Sequence, residues 1–210
     1  MSRDVNGLRS ASASPLLPLA PALPEAPRER ADAARNRRRV LDAAAALFAE
    51  RGVGAVSMDE VAAAAGVGKG TVFRRFGDKS GLAVALLDER ERELQEGVLS
   101  GPPPLGPGAP PRERLRAFLD AYLDYCLGHL ELVRLSETAT PGARYRIGSY
   151  RFWHRHVQVL LSEAGVPDAG ALAHALLAPL AADLLHGLGA EAWPPHRRAV
   201  LTLAAAVTGE

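Results

Sequence analysis

Hydrophobic residues recur at helical spacing through most of the chain, and no segment alternates at the two-residue period of a β-strand. Between residues 28 and 52 they fall at i, i+3, i+4 and i+7, which gives a helix one buried stripe. Gly52 follows where a helix C-cap belongs. The members of this stripe are Val40, Leu41, Ala44, Ala45, Leu47 and Phe48. The pattern predicts an all-α protein whose first long helix ends near Gly52.

Capping residues divide the next stretch into three further helices. Ser57 and Glu60 have the spacing of a capping box, in which each side chain satisfies the other residue's backbone amide. The helix that they start should end at Gly66. A short third helix is predicted over residues 68–76, and Asp78 has the position of the N-cap of a longer fourth helix.

Proline and glycine separate this block from the rest of the chain. The segment 101–111, GPPPLGPGAPP, is poor in hydrophobic residues and is predicted to be a flexible loop. Four or five more helices are expected after it. They centre on the segments RLRAFLDAYLDYCLGHL, ELVRLSETA, RYRIGSYRFWHRHVQVLLSEAG, ALAHALLAPLAADLLHGLG and PHRRAVLTLAAAV. Pro179 is expected to kink the fourth of these.

Composition narrows the classes of function. The formal net charge is only +1, so binding to a polyanion needs a local cluster of basic residues. Cys126 is the single cysteine, which excludes an internal disulfide and a cysteine-based zinc site and fits a cytoplasmic protein. No apolar run of about 18 residues lacks charge or proline, so a membrane span is not expected. Residues 1–27 carry too many prolines for a signal helix and are predicted to be a disordered tail.

The second and third predicted helices have the lengths and the glycine turn of a helix-turn-helix. In that geometry Lys69, Thr71 and Arg74 project away from the core and toward base edges or phosphates. Gly70 leaves room for close approach to a groove. Lys79, at the start of the fourth helix, is placed to meet a phosphate. The alternative from these residues alone is an exposed basic turn on an ordinary helical bundle.

These residues resemble the tetracycline-repressor-like (TetR/AcrR) family of transcriptional regulators. The family's pattern is a Ser- or Thr-initiated helix, a Val-Ala or Ile-Ala pair, and then AGVS-GTLY-HF--K--L. The positions that fall on this pattern without a gap, with Phe73 in the place of its tyrosine, are Ser57, Val61, Ala62, Ala65, Gly66, Val67, Gly70, Thr71, Val72, Phe73, Phe76, Lys79 and Leu82.

Four residues depart from the pattern. Gly68 replaces the usual serine at the start of the recognition helix, and Phe73 replaces a tyrosine, which removes a phenolic hydrogen bond. Arg75 replaces a common histidine and adds a fixed charge, and Val53 replaces an aromatic residue.

The resemblance implies a helix-turn-helix DNA-binding domain over residues 28–80 and a helical effector-binding and dimerisation domain over residues 81–210. It implies a homodimer through the last two helices that binds a palindromic operator in double-stranded DNA and is released by an unknown small molecule. The residues expected to face DNA are Ser57, Gly68, Lys69, Gly70, Thr71, Phe73, Arg74, Arg75 and Lys79. Those expected to line an effector pocket are Phe118, Tyr122, Tyr125, Cys126, Phe152, Trp153 and His156.

Other interpretations stay open. A ligand-binding or signalling module that retains the helix-turn-helix only as scaffold would prefer no DNA sequence. An enzyme built on the second domain is not favoured, because the chain has no phosphate loop, nucleophile elbow or dinucleotide fingerprint. The histidines lack metal-ligand spacing, so no metal and no other cofactor is expected. The basic run Arg35–Arg39, and Arg3 or Arg9 in the tail, are further candidates for contact with DNA.

Overall fold

The structure is a computed structural model that describes residues 27–209, with side chains from residue 31 onward. The predicted tail, with Arg3 and Arg9, lies outside the described residues, apart from Pro27. Every regular element within the described range is helical. The α-helices are α1 Pro27–Arg51, α2 Met58–Ala65, α3 Lys69–Phe76, α4 Lys79–Ser100, α5 Pro111–Gly128, α6 Leu130–Thr138, α7 Ala143–Arg146, α8 Gly148–Glu163, α9 Ala169–Leu177, α10 Ala182–Leu188 and α11 Trp193–Thr208.

Two hydrophobic cores lie along the chain. The first is formed by α1, α2, α3 and the start of α4, with Val40, Val61, Val72 and Leu82 fully buried. The second begins with Leu87 further along α4 and continues through α5, α6, α8, α9, α10 and α11. Leu132 of α6 packs against both cores. Helix α4 is therefore shared between the two cores, and α6 also contacts both.

Two predicted helices are each broken in two. The segment around residues 144–164 separates into α7 and α8 at Ile147, whose backbone is extended. The segment around residues 170–189 separates at Pro179 into α9, a 3-10 turn over Ala178–Leu180, and α10. Proline lacks the amide hydrogen that a continuous helix needs, so the break goes further than the predicted kink.

A buried ion pair satisfies the backbone groups at the second break. The Glu137 carboxylate accepts a hydrogen bond of 2.9 Å from the amide of Ala182, the first residue of α10. Arg144, which is paired with Glu137, donates to the carbonyl of Leu177, the last residue of α9, at 2.9 Å. The pair therefore joins α6 and α7 to the two halves of the broken helix.

The stretch Ala169–Leu188 has the length and a mean hydropathy of 1.4 that would also suit a membrane span. In the structure it is interrupted by the turn at Pro179, and one third of it is buried within the second core. Apolar residues of α9 and α10 therefore pack into the second core on at least one side of these two helices.

The segment Gly101–Pro110 is compact, not an unpacked linker. Leu105 packs against the second core, and a Cβ added at Gly97 of α4 would lie 3.0 Å from its side chain. The Gly106 amide donates to the Pro102 carbonyl at 3.0 Å, and Gly106 is buried. One leucine and close backbone contacts are enough to fold a segment that the composition alone assigned to a flexible loop.

Candidate nucleic-acid interface

Helix α2 begins with the predicted capping box. The Ser57 hydroxyl accepts from the Glu60 amide at 3.3 Å, and the Glu60 carboxylate accepts from the Ser57 amide at 2.8 Å. Arg51, at the end of α1, pairs with the same carboxylate at 2.8 Å. The hydrogen bonds from Ser57, with a smaller contribution from Arg51, lower the pKa of Glu60 to about 2. The start of α2 is thus fixed to the end of α1, and Ser57 acts as a cap.

The turn between α2 and α3 depends on a left-handed glycine. Gly66 has φ 60° and ψ 37°, and its amide donates to the Ala63 carbonyl at 3.1 Å. A Cβ at this position would lie 2.7 Å from the Arg39 guanidinium, which faces the Gly66 carbonyl. Glycine is therefore suited to this position for two reasons: it adopts the left-handed conformation, and it leaves room for the Arg39 side chain of α1. The sequence prediction that α2 ends here is confirmed.

Helix α3 presents one buried side and one open side. Val72 is 1% exposed and fixes the inner side, while Gly70 and Arg74 lie two residues away on the opposite, exposed side. A Cβ added at Gly70 would meet no atom within 4 Å. Phe73 is 41% exposed, which is unusual for so large an apolar side chain. The open side therefore offers a shallow glycine position flanked by a cation and an aromatic ring.

Two of the predicted DNA contacts at the start and flank of α3 differ in detail from the prediction. The Lys69 ammonium is exposed but is paired with the Asp59 carboxylate of α2. Thr71 is half-buried and faces α1, away from the outermost side of α3. Arg75 is exposed, and Gly68 is the N-cap residue, with no side chain to form a capping hydrogen bond.

The prediction for Lys79 requires correction. Its ammonium donates to the carbonyls of Val53, Gly54 and Val56, at 2.9, 3.3 and 2.8 Å. These carbonyls belong to the loop between α1 and α2. Because the ammonium is used to hold this loop against the start of α4, its role in the structure is to fix the helix-turn-helix, and we do not assign it a phosphate contact.

Helix α1 adds Asn36, which the sequence did not single out, beside Arg37 of the predicted basic run. Asn36 and Arg37 line a cleft of about 580 Å³ together with Thr71, Arg74 and Arg75 of α3. Asn36 is a polar residue one helical turn before the buried Val40. This i, i+4 spacing is the sequence pattern that could have indicated Asn36 as part of the interface. The cleft extends the basic surface of α3 onto the first half of α1.

The basic run on α1 is largely paired with acidic residues. Arg35 pairs with Asp32 and Arg38 with Asp42, both within α1. Arg37 lies 3.6 Å from Asp88 of α4. All of these side chains are substantially exposed, so exchange of a carboxylate for a phosphate needs little desolvation.

The predicted effector residues come together, but they fill the space between them. Rings of α5 and α8 contact one another at centroid distances of 5.0–5.9 Å. Cys126 is fully buried among them. The described cavities lie elsewhere, so these residues form packed core in this structure. The members are Phe118, Tyr122, Tyr125, Cys126, Phe152, Trp153 and His156.

Burial governs the ionisation of this cluster. It raises the pKa of the Cys126 thiol to about 12 and raises the pKa of Tyr122 well above its usual value. It also lowers the pKa of His156 to about 4, with a smaller contribution from the nearby Arg114 cation. At neutral pH the cysteine, tyrosine and histidine of the cluster are therefore all uncharged.

The remaining histidines of interest are paired with each other. His154 of α8 and His174 of α9 have ring centroids 3.9 Å apart. The Tyr150 hydroxyl lies 2.8 Å from Nδ1 of His174, and His154 Nε2 lies 3.0 Å from the Gly170 carbonyl. Among the residues whose side chains are described, no three His, Cys, Asp or Glu side chains form a group that could hold a metal ion.

The stretch that contains the helix-turn-helix is similar to known proteins. Residues 40–86 match the family described as "Bacterial regulatory proteins, tetR family". The HTH-type transcriptional activator FasR of Mycolicibacterium smegmatis is 36% identical over 90 residues, which cover 43% of this chain and 40% of FasR. An HTH-type transcriptional regulator of Staphylococcus aureus is 47% identical over 53 residues, covering 25% and 29% of the two chains.

Solved structures extend the similarity of fold over most of the chain. A TetR-family transcriptional regulator from Pectobacterium atrosepticum superimposes with a TM-score of 0.59 at 24% identity, covering 83% of this chain and 92% of that one. The fatty acid degradation regulator FadR from Bacillus halodurans gives 0.55 at 15% identity, covering 79% and 94%. The sequence matches span well under half of the curated relatives, and at these identities the structural matches concern the fold.

Proposed function

We propose that this chain, whose residues 40–86 match the tetR family of bacterial regulatory proteins, is a sequence-specific DNA-binding transcriptional regulator of the cytoplasm without enzymatic activity. The observation that carries the proposal is the open side of α3. Gly70, Phe73 and Arg74 are exposed there, while Val72 anchors the opposite side in a closed core. An exposed glycine and cation on a rigid second helix suit insertion into the major groove.

The contacts with DNA divide into two sets. Lys69 and Arg74 on α3 are the candidates for base edges, and Phe73 for apolar contact with a thymine methyl group. Arg75, Asn36 and Arg37 are candidates for the phosphate backbone, since they line the cleft between α1 and α3. The other predicted residues support this surface indirectly. Ser57 caps α2, Gly68 allows close approach at the start of α3, and Thr71 packs toward α1.

A homodimer through α10 and α11 would give the regulator its symmetry. Leu184, Leu188 and Leu203 are each at least 40% exposed on these two helices. Covering them with a second copy would remove apolar surface from water. Two recognition helices related by a two-fold axis would then read half-sites about 34 Å apart, one turn of DNA.

We assign the regulator a repressor role in which a small molecule weakens DNA binding. The coupling between such an effector and DNA is typically about 1–3 kcal/mol. The aromatic cluster of α5 and α8 could accept the effector only if its ring contacts separated. The relative FasR is named a transcriptional activator, which is the opposite direction of regulation.

Selection from random double-stranded oligonucleotides tests the function and the symmetry together. We expect enrichment of a palindrome whose half-sites are centred about one helical turn apart. Enrichment of a single half-site would contradict the dimer, and no enrichment would favour a ligand-binding or signalling module that retains the helix-turn-helix as scaffold.

Fluorescence anisotropy on the selected site then tests the assignment of α3. Arg74→Ala should weaken binding about tenfold or more, because one direct base contact is worth about 1–3 kcal/mol. Arg116→Ala is the matched control, since it removes the same charge from an exposed position on α5. Equal losses in the two variants would indicate a general charge effect and would contradict readout by α3.

A further inference from the structure

A crevice between the two cores is a cavity to which the proposed function assigns no role. We call it the junction crevice. One wall comes from α1 and α4 of the first core, and the other from the turn between α5 and α6. Its volume is about 550 Å³, within the usual range of small-molecule sites. Its lining consists of Ala45, Phe48, Ala49, Val53, Leu86, Arg90, Leu127, Gly128, His129, Leu130, Glu131 and Leu132.

The walls of the junction crevice are mainly apolar. Phe48 and Val53 belong to the edge of the first core, and Leu127 and Leu130 pack beside the second. A molecule held here would contact side chains of both cores at once. An apolar body of moderate size would remove these surfaces from water, which is the main source of affinity in such sites.

Charge at the rim selects among apolar molecules. The Arg90 guanidinium uses Nη1 to donate to both carboxylate oxygens of Glu93, at 3.1 and 2.9 Å. Its Nη2 and Nε groups have no partner among the residues whose side chains are described, so they can donate to an anion. On the other wall, Glu131 is 3.1 Å from His186, and Nδ1 of His129 lies 3.1 Å from the Tyr125 carbonyl. The carboxylate of Glu131 disfavours an anion at that wall, so an anionic group belongs at the Arg90 end.

We propose that the junction crevice is a binding site for an apolar organic anion, with the apolar body between α1 and the α5–α6 turn and the anionic group at Arg90. The regulatory consequence rests on the function proposed above. Because the two walls belong to different cores, occupancy favours one relative placement of α1 and α6 and thereby alters the presentation of α3 to DNA. Binding itself does not depend on DNA.

The probe is 8-anilino-1-naphthalenesulfonate, an apolar aromatic molecule with one anionic group, titrated into the full chain by fluorescence. Ala49→Trp fills the crevice and should weaken binding at least tenfold. Arg90→Gln removes the cation and should weaken it about threefold to tenfold. The matched controls are Ala46→Trp, on an exposed position of α1 outside the crevice, and Arg92→Gln, two residues further along α4 and outside the lining. Both controls should stay within about twofold of the unchanged chain.

Equal binding by all four variants and the unchanged chain would place the probe elsewhere, such as on the exposed leucines of α10 and α11, and would overturn the site. DNA anisotropy on the same samples separates the two proposals. If the probe binds in the junction crevice but the chain binds no DNA, the proposed DNA-binding function is refuted and the proposed binding site is retained. DNA affinity that the crevice-bound probe does not change would overturn the regulatory consequence.

Discussion

At the scale of single residues, the interactions that were predictable from the sequence are those between near neighbours. The capping box of Ser57 and Glu60 spans three residues, and Gly66 ends α2 through bonds to residues three and four positions earlier. The partners of Lys69 and Lys79 are 10 and 23–26 residues away. Nothing in a local pattern identifies Asp59 or three loop carbonyls as those partners, because they meet only after α1, α2 and α4 have packed.

The exposed position of Gly70 leads to a prediction that separates stability from DNA binding. Gly70→Ala should leave the folded state intact and raise the free energy of unfolding by up to about 1 kcal/mol, because alanine is the better helix former and its Cβ meets open space. If the glycine allows α3 to approach the groove closely, the same variant should weaken binding to the selected DNA site severalfold.

Urea unfolding and fluorescence anisotropy on one preparation measure the two effects of Gly70→Ala. Gly187→Ala in α10 is the control for the stability effect alone, since a Cβ there also meets no atom within 4 Å, whereas α10 belongs to the proposed dimer interface and its DNA affinity is not compared. Unchanged DNA affinity in Gly70→Ala would mean that the groove does not approach this position.

At the scale of elements, helices were predictable where a cap or a periodic stripe defined them, and their breaks were not. Pro179 was expected to bend one helix, yet the chain there forms α9, a turn and α10. The reason lies in Glu137 and Arg144, which satisfy the amide of Ala182 and the carbonyl of Leu177. A fully broken helix is stable only because these distant side chains replace the missing backbone partners.

The junction of α3 and α4 depends on Gly81. A Cβ at this position would lie 1.9 Å from the carbonyl oxygen of Phe76, the last residue of α3. Since that atom is backbone, the two helices would have to separate. Gly81→Ala should lower the free energy of unfolding by about 2 kcal/mol or more and should weaken DNA binding even where the chain remains folded.

Thermal unfolding with anisotropy at a temperature where both proteins are folded measures the effect of Gly81→Ala. Gly70→Ala again provides the comparison, because it makes the same chemical change in a neighbouring helix without a clash. A melting temperature equal to that of the unchanged chain would contradict the close approach of α3 and α4.

At the scale of the whole molecule, the second core is expected to make stability depend on pH through His156. Its pKa is about 4 because burial disfavours the charged imidazole, and Arg114 adds a smaller repulsion. In the unfolded chain the pKa returns to about 6.5. Between these values the unfolded state holds a proton that the folded state excludes. Stability from this residue is therefore complete above pH 6.5 and decreases as the pH falls toward 4.

His156→Gln removes the titration while retaining a polar side chain of similar size. Relative to the unchanged chain, the variant should gain about 1–2 kcal/mol of unfolding free energy between pH 7.5 and pH 5, after allowance for partial solvent screening. His129→Gln in the α5–α6 turn is the control, since it makes the same substitution at a half-buried histidine outside the aromatic cluster. Urea titrations at one protein concentration keep any dimerisation constant. Parallel pH profiles for His156→Gln and the unchanged chain would show that the imidazole is not held neutral in the second core.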